Sequence, residues 1–278
     1  MARDLAYLRR IRQTRLRNHQ YRTIKGSDPF YAVPMADELK HVVVLQVCLG
    51  TKEDRILAGK IFQCARNVRD LEIKITRTAQ EGTLGTSADA TVTAINTLFG
   101  ASSEKPVRQL SRLHLVSMDL TRAGVIIPTL GDLKGLKSLL VTGCLASQNL
   151  LVTLTQLPPP LSGLIIIYIE YSRLDALSAF MESSAAASSL ATLRVTGNLC
   201  LAASDNKFSK SLQTLAPALK VLELLDLEDD CGVFSYPNAE YYGALALFQA
   251  MDNLEQLAIQ VSSFERPYIR CSGGLDSV

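Results

Sequence analysis

The chain has 278 residues, 47% of them hydrophobic and only 6% aromatic, with no tryptophan and a formal net charge of +2. A globular chain of this length tends to divide into two domains, whereas a repeat protein grows by addition and escapes that limit. The near-neutral total hides an uneven distribution. Residues 1–25 hold eight basic side chains (Arg3, Arg9, Arg10, Arg12, Arg15, Arg17, Arg22, Lys25) against Asp4. The remaining 253 residues carry 21 basic and 26 acidic side chains, so the positive charge belongs to the N-terminal segment alone. A basic segment suits nuclear import or nucleic acid. Here, however, Leu5, Leu8, Ile11, Leu16, Tyr21 and Ile24 interleave with the arginines, which fits a charged helix docked on its own repeats. We expect no nucleic-acid partner.

From Val42 onward one pattern returns eight times. Apolar residues occupy positions one, four and six of a short phrase: Val42/Leu45/Val47, Val68/Leu71/Ile73, Leu110/Leu113/Leu115, Leu136/Leu139/Val141, Leu161/Leu164/Ile166, Leu190/Leu193/Val195, Leu219/Leu222/Leu224 and Leu254/Leu257/Ile259. The starts lie 26, 42, 26, 25, 29, 29 and 35 residues apart, mostly within the range of about 20 to 29 expected of leucine-rich repeats, whose signature is LxxLxLxx(N/C). Between these strands the apolar period changes from two to 3.6, as at Leu57, Ile61, Cys64 and Ala65, at Phe208, Leu212, Leu215 and Ala216, and at Tyr241, Leu245 and Phe248. Each unit therefore reads as strand, turn and helix, and stacking closes a continuous core. A doubly wound α/β sheet shares the alternation but has no reason to repeat the triplet. The expected fold is an α/β leucine-rich-repeat solenoid, curved, with parallel strands on the concave side and helices on the convex side. Its expected parts are a basic helical segment 1–40, eight repeats over 41–262, and a tail 263–278.

Local residues refine this reading. Cys144 in "LKSLLVTGC" and Asn198 in "LATLRVTGN" take the ninth position, where a thiol or amide hydrogen-bonds the turn backbone. Asn67 and Asn253 suit a left-handed turn before a strand. The long intervals place rim loops at 76–90 and 229–243, rich in Gly, Ser, Thr or Pro. Residues 138–169 contain no charge, but prolines 158 to 160 interrupt them. The run "LIIIYI" falls far short of the roughly 20 residues a spanning helix needs, so no membrane span is expected.

Chemistry has little to stand on. The histidines (19, 41, 114) are scattered, and HExxH, GxSxG and GxxxxGK[ST] are absent. No enzyme activity or cofactor is expected. The six cysteines never fall within four residues of one another, so paired zinc ligands are not expected. The acidic cluster Glu223, Asp226, Glu228, Asp229 and Asp230 reads as solvated loop rather than metal site. The absence of Asn-x-Ser/Thr acceptors and of an apolar leader points to cytoplasm or nucleus.

Positions three, five and seven of each strand point away from the core. They nominate a protein-binding patch with an apolar centre of Val116, Leu140, Ile165 and Ile167. Arg112 and His114 flank it with Asp70, Glu72 and Lys74 on one side, and Arg194 and Glu223 on the other. The partner itself is not identified.

Eight irregular repeats with "LPPPLSGLIII" leading into a strand resemble the repeat region of fungal F-box/leucine-rich-repeat proteins. "DLAYLRRIRQTRLRNHQYRTI", residues 4–24, is similar to the second half of an F-box and the link after it. The resemblance implies the substrate-recognition part of a ubiquitin-ligase subunit; the alternative is a free-standing scaffold or binding module. The first half of an F-box, an "LPxE" start with an apolar helix, does not occur in these residues. Binding of a Skp-type adaptor is therefore expected only if the F-box is completed.

Overall fold

The computed structural model describes residues 42–76, 87–100, 109–157 apart from Asp132, 161–170 apart from Ser162, 174–183, 189–197, 206–226 apart from Ala216, and 251–259. The expected segments 1–40 and 263–278, Asn198, the loop 229–243 and the helix stripe at Tyr241, Leu245 and Phe248 lie outside the described residues.

Strands and helices alternate along the chain. They are β1 (Val44–Leu49), α1 (Lys52–Cys64), β2 (Asp70–Ile75), α2 (Ala88–Phe99), β3 (Arg112–Val116), α3 (Ala123–Thr129), β4 (Ser138–Thr142), α4 (Ser147–Thr155), β5 (Ile166–Glu170), α5 (Leu174–Ser183), β6 (Thr192–Gly197), α6 (Asn206–Leu215), β7 (Val221–Asp226) and β8 (Gln256–Ile259). The strands form a single eight-stranded sheet in chain order, β1 to β8, and every pair is parallel. A doubly wound sheet reverses its strand order at a switch point; this one does not.

Strands β1 to β7 bury alternate residues. Leu45, Val47, Leu71, Ile73, Leu113, Leu115, Leu139, Val141, Leu193, Val195, Leu222 and Leu224 join one continuous core with the helix residues Ile61, Phe62, Ile95, Leu98, Ile126, Leu150, Leu177, Phe180, Leu212 and Leu215. Phe62 of α1 meets Phe99 of α2 edge to face with ring centroids 4.8 Å apart, joining consecutive helices as consecutive strands are joined below. Side-chain caps start α1 and α2 where the sequence changes period, whereas α3 and α4 begin without one. Thr51 and Asp54 exchange hydrogen bonds at the start of α1, with Asp54 N donating to Thr51 Oγ1 at 3.2 Å and Thr51 N to Asp54 Oδ2 at 2.9 Å. Ser87 Oγ accepts from Ala90 N at the start of α2. That helix takes up residues 88–90 of the expected loop 76–90.

A backbone device repeats at every junction. The carbonyl at position two of one unit accepts the N–H groups of positions two and three of the next: Val43 O from Arg69 and Asp70, Arg69 O from Ser111 and Arg112, Ser111 O from Lys137 and Ser138, Lys137 O from Ile165 and Ile166, and so on to Lys220 O from Glu255 and Gln256. Equivalent positions are therefore aligned across the whole sheet. The device corrects the fifth unit. Ile167 pairs with Leu139 and Ile169 with Val141, so its triplet is Leu164/Ile167/Ile169 rather than Leu161/Leu164/Ile166. Leu161, Leu164 and Ile166 are aliphatic, as are Ile167 and Ile169, which is why either choice satisfies the pattern.

Turns show the same equivalence. Ser117 and Gly143 hold position eight of the third and fourth units, and their φ angles are +55° and +58°. Cys144, at position nine, is fully buried; its Sγ accepts from Met118 N at 3.4 Å and lies 3.5 Å from the Leu115 carbonyl. Burial pushes its thiol pKa up to about 11, which keeps it protonated and structural. The asparagines behave otherwise than expected. Among the described non-glycine residues only Ser117 and Ala146 have positive φ; Asn253 instead donates from Nδ2 to the Pro217 carbonyl at 2.8 Å, one unit back. Among the described residues, no helix is long and apolar enough to cross a membrane.

Candidate protein-binding face

The helices cover one face of the sheet. The opposite face carries positions three, five and seven, whose side chains are mostly half-buried by their neighbours along the row. Strand register makes position five a continuous row: Gln46, Glu72, His114, Leu140, Tyr168, Arg194, Glu223, Ala258.

Its two ends are hydrogen-bonded. On one side Gln46 Nε2 donates to Glu72 Oε2 at 3.1 Å, and His114 Nδ1 lies 3.1 Å from the same oxygen. The hydrogen bond from His114, with the nearby Arg112 and Gln46, holds the Glu72 carboxyl below its ordinary pKa against the opposing effect of burial. His114 Nε2 lies 3.0 Å from Thr142 Oγ1, at position seven of β4. On the other side Arg194 Nε lies 3.2 Å from Glu223 Oε2, and Gln256 Nε2 donates to Glu223 Oε1 at 2.9 Å. Glu223 is thereby engaged on the sheet.

Between these pairs the row changes character. Leu140 stands between His114 and Tyr168, with Val116 one strand to one side and Ile166 one strand to the other. Tyr168 donates from its hydroxyl to Glu170 Oε1 at 2.7 Å, while Glu170 Oε2 accepts from Gly143 N at 2.5 Å. Burial and this bond to a carboxylate raise the tyrosine pKa, so its ring presents a neutral edge. The arrangement offers shape, apolar area and hydrogen-bonding groups. Among the described residues, no group of three or more His, Cys, Asp or Glu side chains is placed to hold a metal ion.

Of the nominated residues, Arg112, His114, Val116, Leu140, Arg194 and Glu223 share this face. Ile165 is exposed at 39%, but at position two, just before β5. Ile167 is not on the face at all: it is completely buried in the core. The frame starts three residues later than expected, and any odd shift moves a strand's whole apolar set to the other side. Ile166, 38% exposed, and Tyr168 take its place. The signal that reveals them is the second reading of "LSGLIIIYI", beginning at Leu164.

Compared with known proteins, the chain matches no family model, no curated protein and no solved structure.

Proposed function

We propose that the eight strand–helix units are leucine-rich repeats stacked as a curved solenoid with the strands on its concave side, and that the open sheet face binds a protein partner. The observation that carries this reading is the position-five row: Leu140, with Val116 and Ile166 diagonal to it on the flanking strands, sits between two hydrogen-bonded polar clusters on a face that no described helix covers. An apolar centre inside a polar rim is the anatomy of a protein interface, in which the centre supplies affinity and the rim selectivity. By its resemblance to F-box/leucine-rich-repeat proteins, the module delivers substrates to a ubiquitin ligase.

The test is quantitative capture from a cell extract with the wild-type chain, Leu140→Asp, Ile166→Asp and, as a helix-side control, Val125→Asp. Partners should be retained by wild type and the control and lost from the two face variants, with melting temperatures alike. Equal retention by all four chains overturns the reading. Co-purification of a Skp-type adaptor in the same experiment reports on the ligase role, and its absence leaves a free-standing binding module.

A further inference from the structure

A second row runs along the sheet where the chain enters each strand. The position-two residues Arg69, Ser111, Lys137, Ile165, Ala191 and Lys220 are held in line by the shared carbonyls described above. Arg69 and Lys137 are exposed, as are Arg112 at position three of β3 and Arg66 in the turn before β2. Asp70 is the carboxylate that faces Arg112 across β2 and β3. Among the described residues, none of Arg66, Arg69 and Lys137 is held in an ion pair. Farther along, the charge is already neutralised: Lys220 Nζ meets Glu255 Oε1 at 2.8 Å. Between these two regions stand Ile165 and Ile166, 39% and 38% exposed. The entrance of β2 to β4 is thus basic, and the entrance of β5 beside it is aliphatic.

We propose that this corner receives an acidic, aliphatic-containing segment of the protein partner, with carboxylates on Arg69, Arg112 and Lys137 and a leucine-like side chain on Ile165 and Ile166. The inference rests on the protein-binding reading above and names the chemistry of its partner. Spacing supports it. Adjacent strands lie about 4.8 Å apart, so Arg69 and Lys137, two strands apart, are separated by roughly 10 Å along the row. A segment in the polyproline II conformation rises about 3.1 Å per residue and returns to the same face every third residue, which places acidic residues three apart on these cations, with an aliphatic residue following toward Ile165. Exposed ion pairs individually contribute little, so the isoleucines supply affinity while the cations select the partner and speed its encounter. Nucleic acid fits less well, because the corner offers aliphatic side chains where unpaired bases need aromatic stacking surfaces.

Fluorescence anisotropy with the full chain tests this. The probes are a short labelled peptide of Asp, Glu and Leu with its acidic residues three apart, the same peptide with Lys for each acid, and labelled oligothymidylate. The acidic peptide should bind at least about tenfold more tightly than its lysine counterpart and than the oligonucleotide. Arg69→Glu combined with Lys137→Glu should remove most of that binding, as should Ile166→Asp. Lys220→Glu, in the same row but beyond the corner, should change nothing, and circular dichroism should show all variants folded. Equal binding of the lysine peptide, tighter binding of the oligonucleotide, indifference to the double charge reversal, or no binding of the acidic peptide each overturns the proposal. None of these outcomes touches the capture experiment with Leu140→Asp, which judges the open face separately.

Discussion

His114 and Glu72 face each other across β2 and β3, with Nδ1 3.1 Å from Oε2. An ionised carboxylate only accepts hydrogen bonds, so the imidazole proton on this side sits on Nδ1. Nε2 then meets the Thr142 hydroxyl, which is free to donate to it. Next to the Gln46–Glu72 bond and sharing its carboxylate oxygen, a single side chain thus ties β2, β3 and β4 together on the open face.

The pair gives a pH prediction. The Glu72 carboxyl is held below its ordinary pKa by His114. A depressed carboxylate stabilises the fold at pH above its ordinary pKa, and that contribution fades as pH falls through the folded value. His114→Ala should raise the Glu72 pKa, followed by carbon-13 NMR of the labelled glutamate carboxyl. The stability difference between the two proteins should shrink in acid and stay within about 1 kcal/mol at neutral pH, as for a partly exposed pair. An unmoved Glu72 titration would sink the argument.

Neighbours on β4 should respond oppositely to the same change. Leu139 is 1% exposed in the core, whereas Leu140 is half-buried on the other face. Leu139→Asp buries an unpaired carboxylate and should cost several kcal/mol, enough to unfold a marginal domain. Leu140→Asp should cost about 1 kcal/mol or less. Ile167→Asp and Ile166→Asp should repeat the contrast on β5. Urea denaturation of the four variants reads this out, and a reversed order on β5 would restore the frame that starts at Leu161.

Gly59 tests helix packing. Glycine inside a helix normally costs about 1 kcal/mol relative to alanine, so Gly59→Ala would ordinarily stabilise α1. Here a Cβ would lie 2.7 Å from the Thr97 carbonyl oxygen of α2, and overpacking of this kind costs about 1–3 kcal/mol. The variant should therefore melt lower than the parent. A higher melting temperature would mean the two helices are not in contact.

Thiol reactivity should separate the cysteines. Cys144 is buried, and burial raises its pKa to about 11, while Cys48 and Cys64 are half-buried. Iodoacetamide at pH 8 should label Cys48 and Cys64 well before Cys144 in the native chain, as read by peptide mass spectrometry. Early labelling of Cys144 would place it outside the turn.

The parallel strand–helix alternation was legible because the apolar triplet and the strand period express the same physics: alternate residues are buried and neighbouring strands pair at equal height. Val42/Leu45/Val47 and Leu110/Leu113/Leu115 are core as expected. At the last unit Leu254 is partly buried against the core, while Leu257 on β8, the edge strand of the described sheet, is 45% exposed. The fifth unit was ambiguous because "LSGLIIIYI" offers aliphatic residues on both parities, and only the partner strand decides which set is buried. On the face, Arg112, His114 and Leu140 were legible from position alone. The backbone bond of Cys144 was expected from position nine, though not that Met118 N would be its donor, and the Tyr168–Glu170–Gly143 linkage was not legible, since it joins groups whose distance depends on the fold.

The open sheet face as binding surface is tested most directly by placing a photo-reactive benzoylphenylalanine at single sites of the full chain. Sites Leu140 and Ile166 probe the face; Val125 and Val152, exposed at 51% and 44% on α3 and α4, probe the helix side. Irradiation with the captured partner should give adducts from the first two sites and none from the last two. Adducts from Val125 or Val152 alone would contradict the account and move the interface to the helices.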